Sequence, residues 1–278
     1  MARPPLLLLP PSEGKAAGGT GGPWQPGTMV APELDERRAK VMVALARAMK
    51  GSGVARGKLL GVKGVALEAA TEANREVVAA PTLPAIDRYT GVRYEALSYG
   101  TRPAAIRRRI DAQVRILSGL WGVVAPRDPI PDYKLKMGAS VGRLGKLSTW
   151  WRPAVTAALA DDVAGRTVWN LLPNEHAAAW APALGIDAGP AAPSTVVSVR
   201  FFDTVVRAGR PELVAVAHWN KLLKGALVAH VVAEQLSDPD GLSEFVHPLG
   251  YRFDPTLTER APDGVTVAVS LVKPALTP

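Results

Sequence analysis

The chain has 278 residues, of which 47% are hydrophobic and 21% charged, the proportions of a folded globular protein and not of a disordered one. Its 33 lysines and arginines against 25 acidic residues leave a net charge of +8, which favours anionic partners such as nucleic acid, nucleotides or an anionic membrane surface. Cysteine is absent, so disulfides, thiolate metal sites and cysteine nucleophiles are excluded.

Leu6 to Leu9 reads as a short strand buried on both faces, because every position is aliphatic. The run is too short for the core of a signal peptide or for a membrane span. No later stretch is apolar for long enough either, and the sequence predicts a cytoplasmic protein that does not engage a membrane. The strand runs into Pro10-Pro11-Ser12-Glu13-Gly14-Lys15 and then a glycine-rich stretch to Gly27.

Glu33 to Met49 carries Leu34, Val41, Leu45 and Met49 on one stripe, which predicts an amphipathic helix. A helical pair follows at Lys58 to Val62 and Leu67 to Val78, hinged at Lys63-Gly64. Arg102 to Leu117 reads as a further helix, with Ile106, Ile110, Val114 and Leu117 as its buried row. Strands are predicted at 121–124, 133–137, 167–172, 196–202, 213–217 and 265–272, and helices at 153–160, 175–181 and 220–236. Alternation of the two types predicts an α/β fold. It would be one mixed-sheet domain over residues 1–278 with surrounding helices and a helical hairpin at 58–78. No internal repeat is visible, and 181–193 reads as a connecting loop.

Three segments carry chemistry. Ser12-Glu13-Gly14-Lys15 is placed like a phosphate-binding loop but lacks its first glycine, and Ala16 stands where a magnesium-holding hydroxyl belongs. That argues against a nucleoside triphosphatase, while Lys15 remains able to donate to a phosphate or carboxylate. The alternative is an ordinary surface lysine. Val62-Lys63-Gly64-Val65-Ala66-Leu67 has the apolar–Gly–apolar spacing of a helix-hairpin-helix. In such hairpins the turn amides and the second helix's N-terminus face a DNA phosphate, and Lys58 and Lys63 would add charge. The alternative is a plain αα-hairpin. Finally, glycines surround Ser118 to Gly122, and in an extended 133–137 segment Lys134 and Lys136 would share one side. They would form a two-pronged anion contact or the charged rim of an edge strand. The four histidines, His176, His218, His230 and His247, have no metal-ligand spacing, no metal or cofactor is expected, and no glycine-flanked serine elbow is present.

Taken together, several strings resemble the YaaA family of bacterial peroxide-stress proteins: Leu6 to Lys15, Tyr89-Thr90-Gly91, Arg115 to Val123, Tyr133 to Gly138, Asn170-Leu171 with Glu175, and Gly250 to Asp254. The resemblance implies that family's α/β fold, with a basic cleft and a helix-hairpin-helix. It also implies binding to double-stranded or branched DNA without sequence preference under oxidative stress. Lys15, Tyr89, Thr90, Ser118, Lys134 and Lys136 match positions near the cleft, and Lys63 and Gly64 match the hairpin. The sequence departs from the family at Ala66, where a second turn glycine is usual, and at Lys224-Gly225, where Arg-Gly is common. The alternative function is an enzyme acting on a nucleotide-like or other anionic small molecule. Lys15, Tyr89, Ser118, Lys134 and Glu175 would then be the acid–base candidates.

Overall fold

The structure is a computed structural model and describes residues 3–185, 188–207, 210–216 and 220–275. Its strands are β1 (Leu6–Leu9), β2 (Leu83–Pro84), β3 (Val114–Ser118), β4 (Gly122–Val124), β5 (Pro129–Ile130), β6 (Thr167–Asn170), β7 (Thr195–Arg207), β8 (Arg210–Ala215), β9 (Arg252–Phe253), β10 (Glu259–Arg260) and β11 (Thr266–Lys273). The helices are α1 (Asp35–Ala48), α2 (Gly53–Leu60), α3 (Val65–Glu76), α4 (Ala85–Arg88), α5 (Val92–Leu97), α6 (Ala104–Gln113), α7 (Leu147–Ala158), α8 (Ala160–Val163), α9 (Asn174–Ala177) and α10 (Asn220–Glu234).

The fold is α/β, as the alternation predicts. One mixed sheet runs in the order β10-β11-β7-β6-β1-β3-β4, with β8 on β7 and β9 on β11. A two-stranded ribbon, β2 with β5, lies apart from it. β1 is central and pairs in parallel with β3 on one side (Leu8↔Arg115) and β6 on the other (Leu7↔Trp169). Leu6 to Leu9 are all at most 1% exposed, which is why the strand shows no alternation: both faces are covered. Burying such a leucine contributes about 1.5–3 kcal/mol, so four in a row anchor the sheet.

Two segments differ from the sequence reading. The helix expected over 102–117 ends at Gln113, and Val114 to Ser118 form β3. Val114 and Leu117 complete a helical row, but they are fully buried in a strand that pairs with β1, and parallel pairing overrides the local pattern. The strand expected at 133–137 does not form. The backbone of Lys134 bonds a side chain instead: its N–H donates to Asn74 Oδ1 at 2.8 Å and its carbonyl accepts from Asn74 Nδ2 at 2.9 Å. The predicted 213–217 strand is observed as β8, except that Ala217 falls outside the described residues, as does His218.

Two buried arginines organise what the sequence leaves as loops. Arg38 of α1 donates to the carbonyls of Val30, Trp121 and Val123. Arg88 of α4 donates to the carbonyls of Ala16, Gly18, Pro81 and Ile130. The glycine-rich stretch is therefore wrapped around a guanidinium whose donors would otherwise be buried without partners.

Candidate functional site

The carboxyl ends of β1, β3 and β6 lie side by side, and the chain connections run from β1 to β3 on one side and return through β6 on the other. In open α/β sheets this crevice is where ligands bind. Pro10 and Pro11 cannot continue the sheet ladder, and the loop they start turns back over the strand ends. There it is met by the Tyr89-Thr90-Gly91 segment. Lys15 bridges to Tyr89, Thr90 N–H donates to the Gly14 carbonyl at 3.1 Å and Ala16 N–H to the Arg88 carbonyl at 2.9 Å. The approach is close enough to select glycine. A Cβ on Gly14 would sit 2.9 Å from Thr90 Oγ1, and Gly91 has φ +99° with Ser12 Oγ 3.0 Å from the place of its Cβ.

Below this loop is a chain of hydroxyls. Tyr133 OH lies 2.8 Å from Tyr89 OH and 2.7 Å from Ser118 Oγ, and Ser118 Oγ accepts from the N–H groups of Leu120 and Trp121. All three side chains are buried. Burial holds the Tyr89 phenol well above its ordinary range and pushes Tyr133 up to about 12, so both stay neutral and can donate a proton in a hydrogen bond. Lys15 Nζ rests 4.3 Å from the Tyr133 ring centre and donates to the Ser12 carbonyl at 3.1 Å. Its burial brings the ammonium down to about 8; nearby Asp132 opposes the shift, and Lys134 adds to it.

Above Lys15 the other two lysines close on a carboxylate of their own chain. Lys134 Nζ is 2.7 Å from Glu13 Oε2 and Lys136 Nζ 3.2 Å from Glu13 Oε1. Burial acts to raise the Glu13 carboxyl, but the hydrogen bonds and charges of the two lysines outweigh it and bring it to about 2. The two prongs do share one side, though on an extended coil and not on a strand. A small pocket of about 40 Å³ is bounded by Ser12, Glu13, Lys15, Lys134, Lys136, Glu175 and His176, among others. Glu175, at the start of α9, stands 44% exposed at its mouth.

Of the candidate residues, Lys15, Tyr89, Thr90, Ser118, Lys134, Lys136 and Glu175 therefore come together at one place. Lys58, Lys63 and Gly64 do not line the pocket; they lie on the adjoining helical pair, α2 and α3, with both lysines exposed. That pair touches the site twice. Asn74 of α3 clamps Lys134 as described, and Gly61, which ends α2 at φ +69°, leaves only 3.2 Å between the place of its Cβ and Lys136 Nζ. Asn74 and Tyr133 are the principal members that residue-by-residue reading does not select. Nothing in the sequence marks Asn74, whereas Tyr133 stands in the same string as Lys134. The Trp150-Trp151 pair sits in α7: Trp151 is fully buried, donating to the Gly119 carbonyl, and Trp150 packs under Arg37.

Fold and site together define an α/β protein with a lysine-rich polar pocket at the carboxyl edge of its central parallel strands. Residues 6–257 match the family model described as peroxide stress protein YaaA. The chain belongs to that family. A UPF0246 protein of Streptomyces coelicolor is 34% identical over 88% of both chains. A UPF0246 protein of Corynebacterium glutamicum is 34% identical over 56% of this chain and 62% of its own length, and one of Lactiplantibacillus plantarum is 32% identical over 62% and 64%. Among the described residues no helix is long and apolar enough to cross a membrane.

Proposed function

We propose that the chain acts in peroxide stress by binding DNA through its phosphates, without reading sequence, across the surface that joins the α2–α3 turn to the pocket. The observation that supports this is the physical continuity of the two: Lys63 stands exposed in the turn, Gly61 of the same turn abuts Lys136, and Lys136 shares Glu13 with Lys134. Lysine ammonium groups suit a phosphate backbone and carry no base-edge recognition. The pocket itself is too small for a duplex, so the duplex would lie over its mouth. The test is a binding isotherm with a short duplex at rising salt. Each neutralised phosphate contributes about 0.9 to the slope of log K against log salt. Lys63→Glu and Lys136→Glu should each weaken all sequences alike and flatten that slope, whereas salt-independent binding overturns the reading.

One observation favours a second reading, catalysis on a nucleotide-like anion. Lys15 is brought to about 8 against a pair of neutral phenols, which gives a lysine able to exchange protons near neutrality. Turnover would require Lys15, so a Lys15→Arg variant that still binds DNA with wild-type affinity separates the two readings.

A further inference from the structure

At one edge of the pocket, which His176 lines, stands a second group of basic residues that neither reading uses. Arg93 comes from the first turn of α5, Lys224 from α10 and His176 from α9. The two longer helices are locked together there: a Cβ on Gly225 would lie 2.5 Å from the Arg93 carbonyl oxygen. Lys224 Nζ reaches the Leu171 carbonyl, just past β6, at 3.3 Å, so the group sits at the same carboxyl edge of the sheet. Lys134 and Lys136 have Glu13 as counter-charge, but among the described residues neither Arg93 nor Lys224 has a carboxylate within 4.0 Å.

The hydrogen bonding is also incomplete. Arg93 Nε and His176 Nδ1 are buried and make no hydrogen bond. The side chain of His176 is only 8% exposed, and the nearest acceptor to Nδ1 is Glu175 Oε1 at 3.5 Å. Burial lowers Lys224 to about 8 and His176 to about 4, and the Arg93 charge pushes both further down. Two partly buried cations, Arg93 and Lys224, that repel each other beside buried nitrogens without partners are costly. They are retained at low cost where an anion completes them.

We propose that Arg93, Lys224 and His176 form a subsite for a phosphate monoester that adjoins the pocket through His176 and does not depend on Lys63 or the α2–α3 turn. Arg93 supplies the planar fork, Lys224 the point charge, and His176 a neutral imidazole nitrogen for the third oxygen. The same chemistry serves a free phosphorylated metabolite or the terminal phosphate of a nucleic-acid strand.

The experiment is calorimetric titration of the full chain with adenosine 5′-monophosphate, with adenosine, and with one oligonucleotide carrying either a 5′-phosphate or a 5′-hydroxyl. Adenosine 5′-monophosphate should bind and adenosine should not. Arg93→Gln and Lys224→Gln should each weaken the monophosphate at least about tenfold, the loss expected when one charge-assisted hydrogen bond is removed. Lys224→Arg should keep it, and circular dichroism confirms that each variant is folded. A preference for the phosphorylated oligonucleotide end assigns the strand-terminus source; equal binding of the two ends assigns the free-metabolite source. Lys63→Glu, which weakens duplex binding, should leave the monophosphate affinity unchanged. The proposal is overturned if the wild-type chain ignores the monophosphate, or if the folded Arg93→Gln and Lys224→Gln variants bind it as the wild type does, whatever becomes of duplex binding.

Discussion

Tyr133 illustrates how a single hydroxyl can hold a site together. It is the common partner of Tyr89 and Ser118, so Tyr133→Phe leaves two buried hydroxyls short of a bond at once. We expect a loss of about 1–3 kcal/mol in urea unfolding; a loss below about 0.5 kcal/mol would mean that the three do not act as a chain. Lys15 makes a prediction about pH. Its folded value, lowered from 10.5 to about 8, means that between those values the unfolded chain keeps a proton the folded chain has released. Stability contributed through Lys15 therefore rises with pH across that window and is lowest below it. Lys224, also lowered to about 8, acts in the same direction, so the comparison must be with a Lys15→Met variant. Wild type should gain more stability than that variant between pH 7 and 9.5, and parallel pH profiles would contradict the burial of the amine.

At the scale of elements, the coupling of the α2–α3 pair to the pocket rests on Asn74, whose amide replaces the two ladder bonds that a strand at Lys134 would have made. Asn74→Ala should cost about 1–3 kcal/mol and also loosen Lys134, so that the proposed DNA binding should weaken although Asn74 itself stands apart from the pocket lining. Asn74→Asp tests the geometry, since it keeps the acceptor for the Lys134 N–H and loses the donor to its carbonyl; an intermediate stability is expected. Gly119 is a comparable joint. A Cβ there would come within 2.8 Å of the backbone of Lys136, so Gly119→Ala must displace the segment carrying both lysines. Unchanged stability and binding in that variant would show that the segment is free to shift. The elements legible in the sequence were those whose own pattern suffices: the all-leucine β1, the stripe of α1 and the apolar run of α10. Those that were not legible depended on partners far along the chain. Val114 to Leu117 reads as helix until β1 lies beside it, and Tyr133 to Met137 reads as strand until the Asn74 amide occupies its hydrogen-bonding edge.

For the whole molecule, the parallel core places the ends of β1, β3 and β6 together, and that topology gathers Lys15, Lys134 and Glu175 into one pocket with Tyr89 and Ser118 in the hydroxyl chain beneath it. Their convergence was readable from the strings shared with a family and from no spacing within them. The group of Arg93, His176 and Lys224 was not readable at all, because α5, α9 and α10 meet only after the sheet has formed. The excess of positive charge acts at this scale too. If the lysine surface meets duplex DNA as proposed, the association rate should fall with ionic strength more steeply than the dissociation rate changes, which stopped-flow mixing at two salt concentrations measures.

Glu13, held between Lys134 and Lys136, has one more consequence. It occupies the position an incoming anion would want, so the protein carries a tethered competitor for its own binding groups. If the pocket takes an anion as proposed, the visitor must displace a carboxylate that never diffuses away, a contest that favours oxyanions of higher charge over singly charged solutes. Glu13→Gln should lower that threshold, letting simple anions such as chloride or acetate protect the lysines from acylation where they give the native chain no cover.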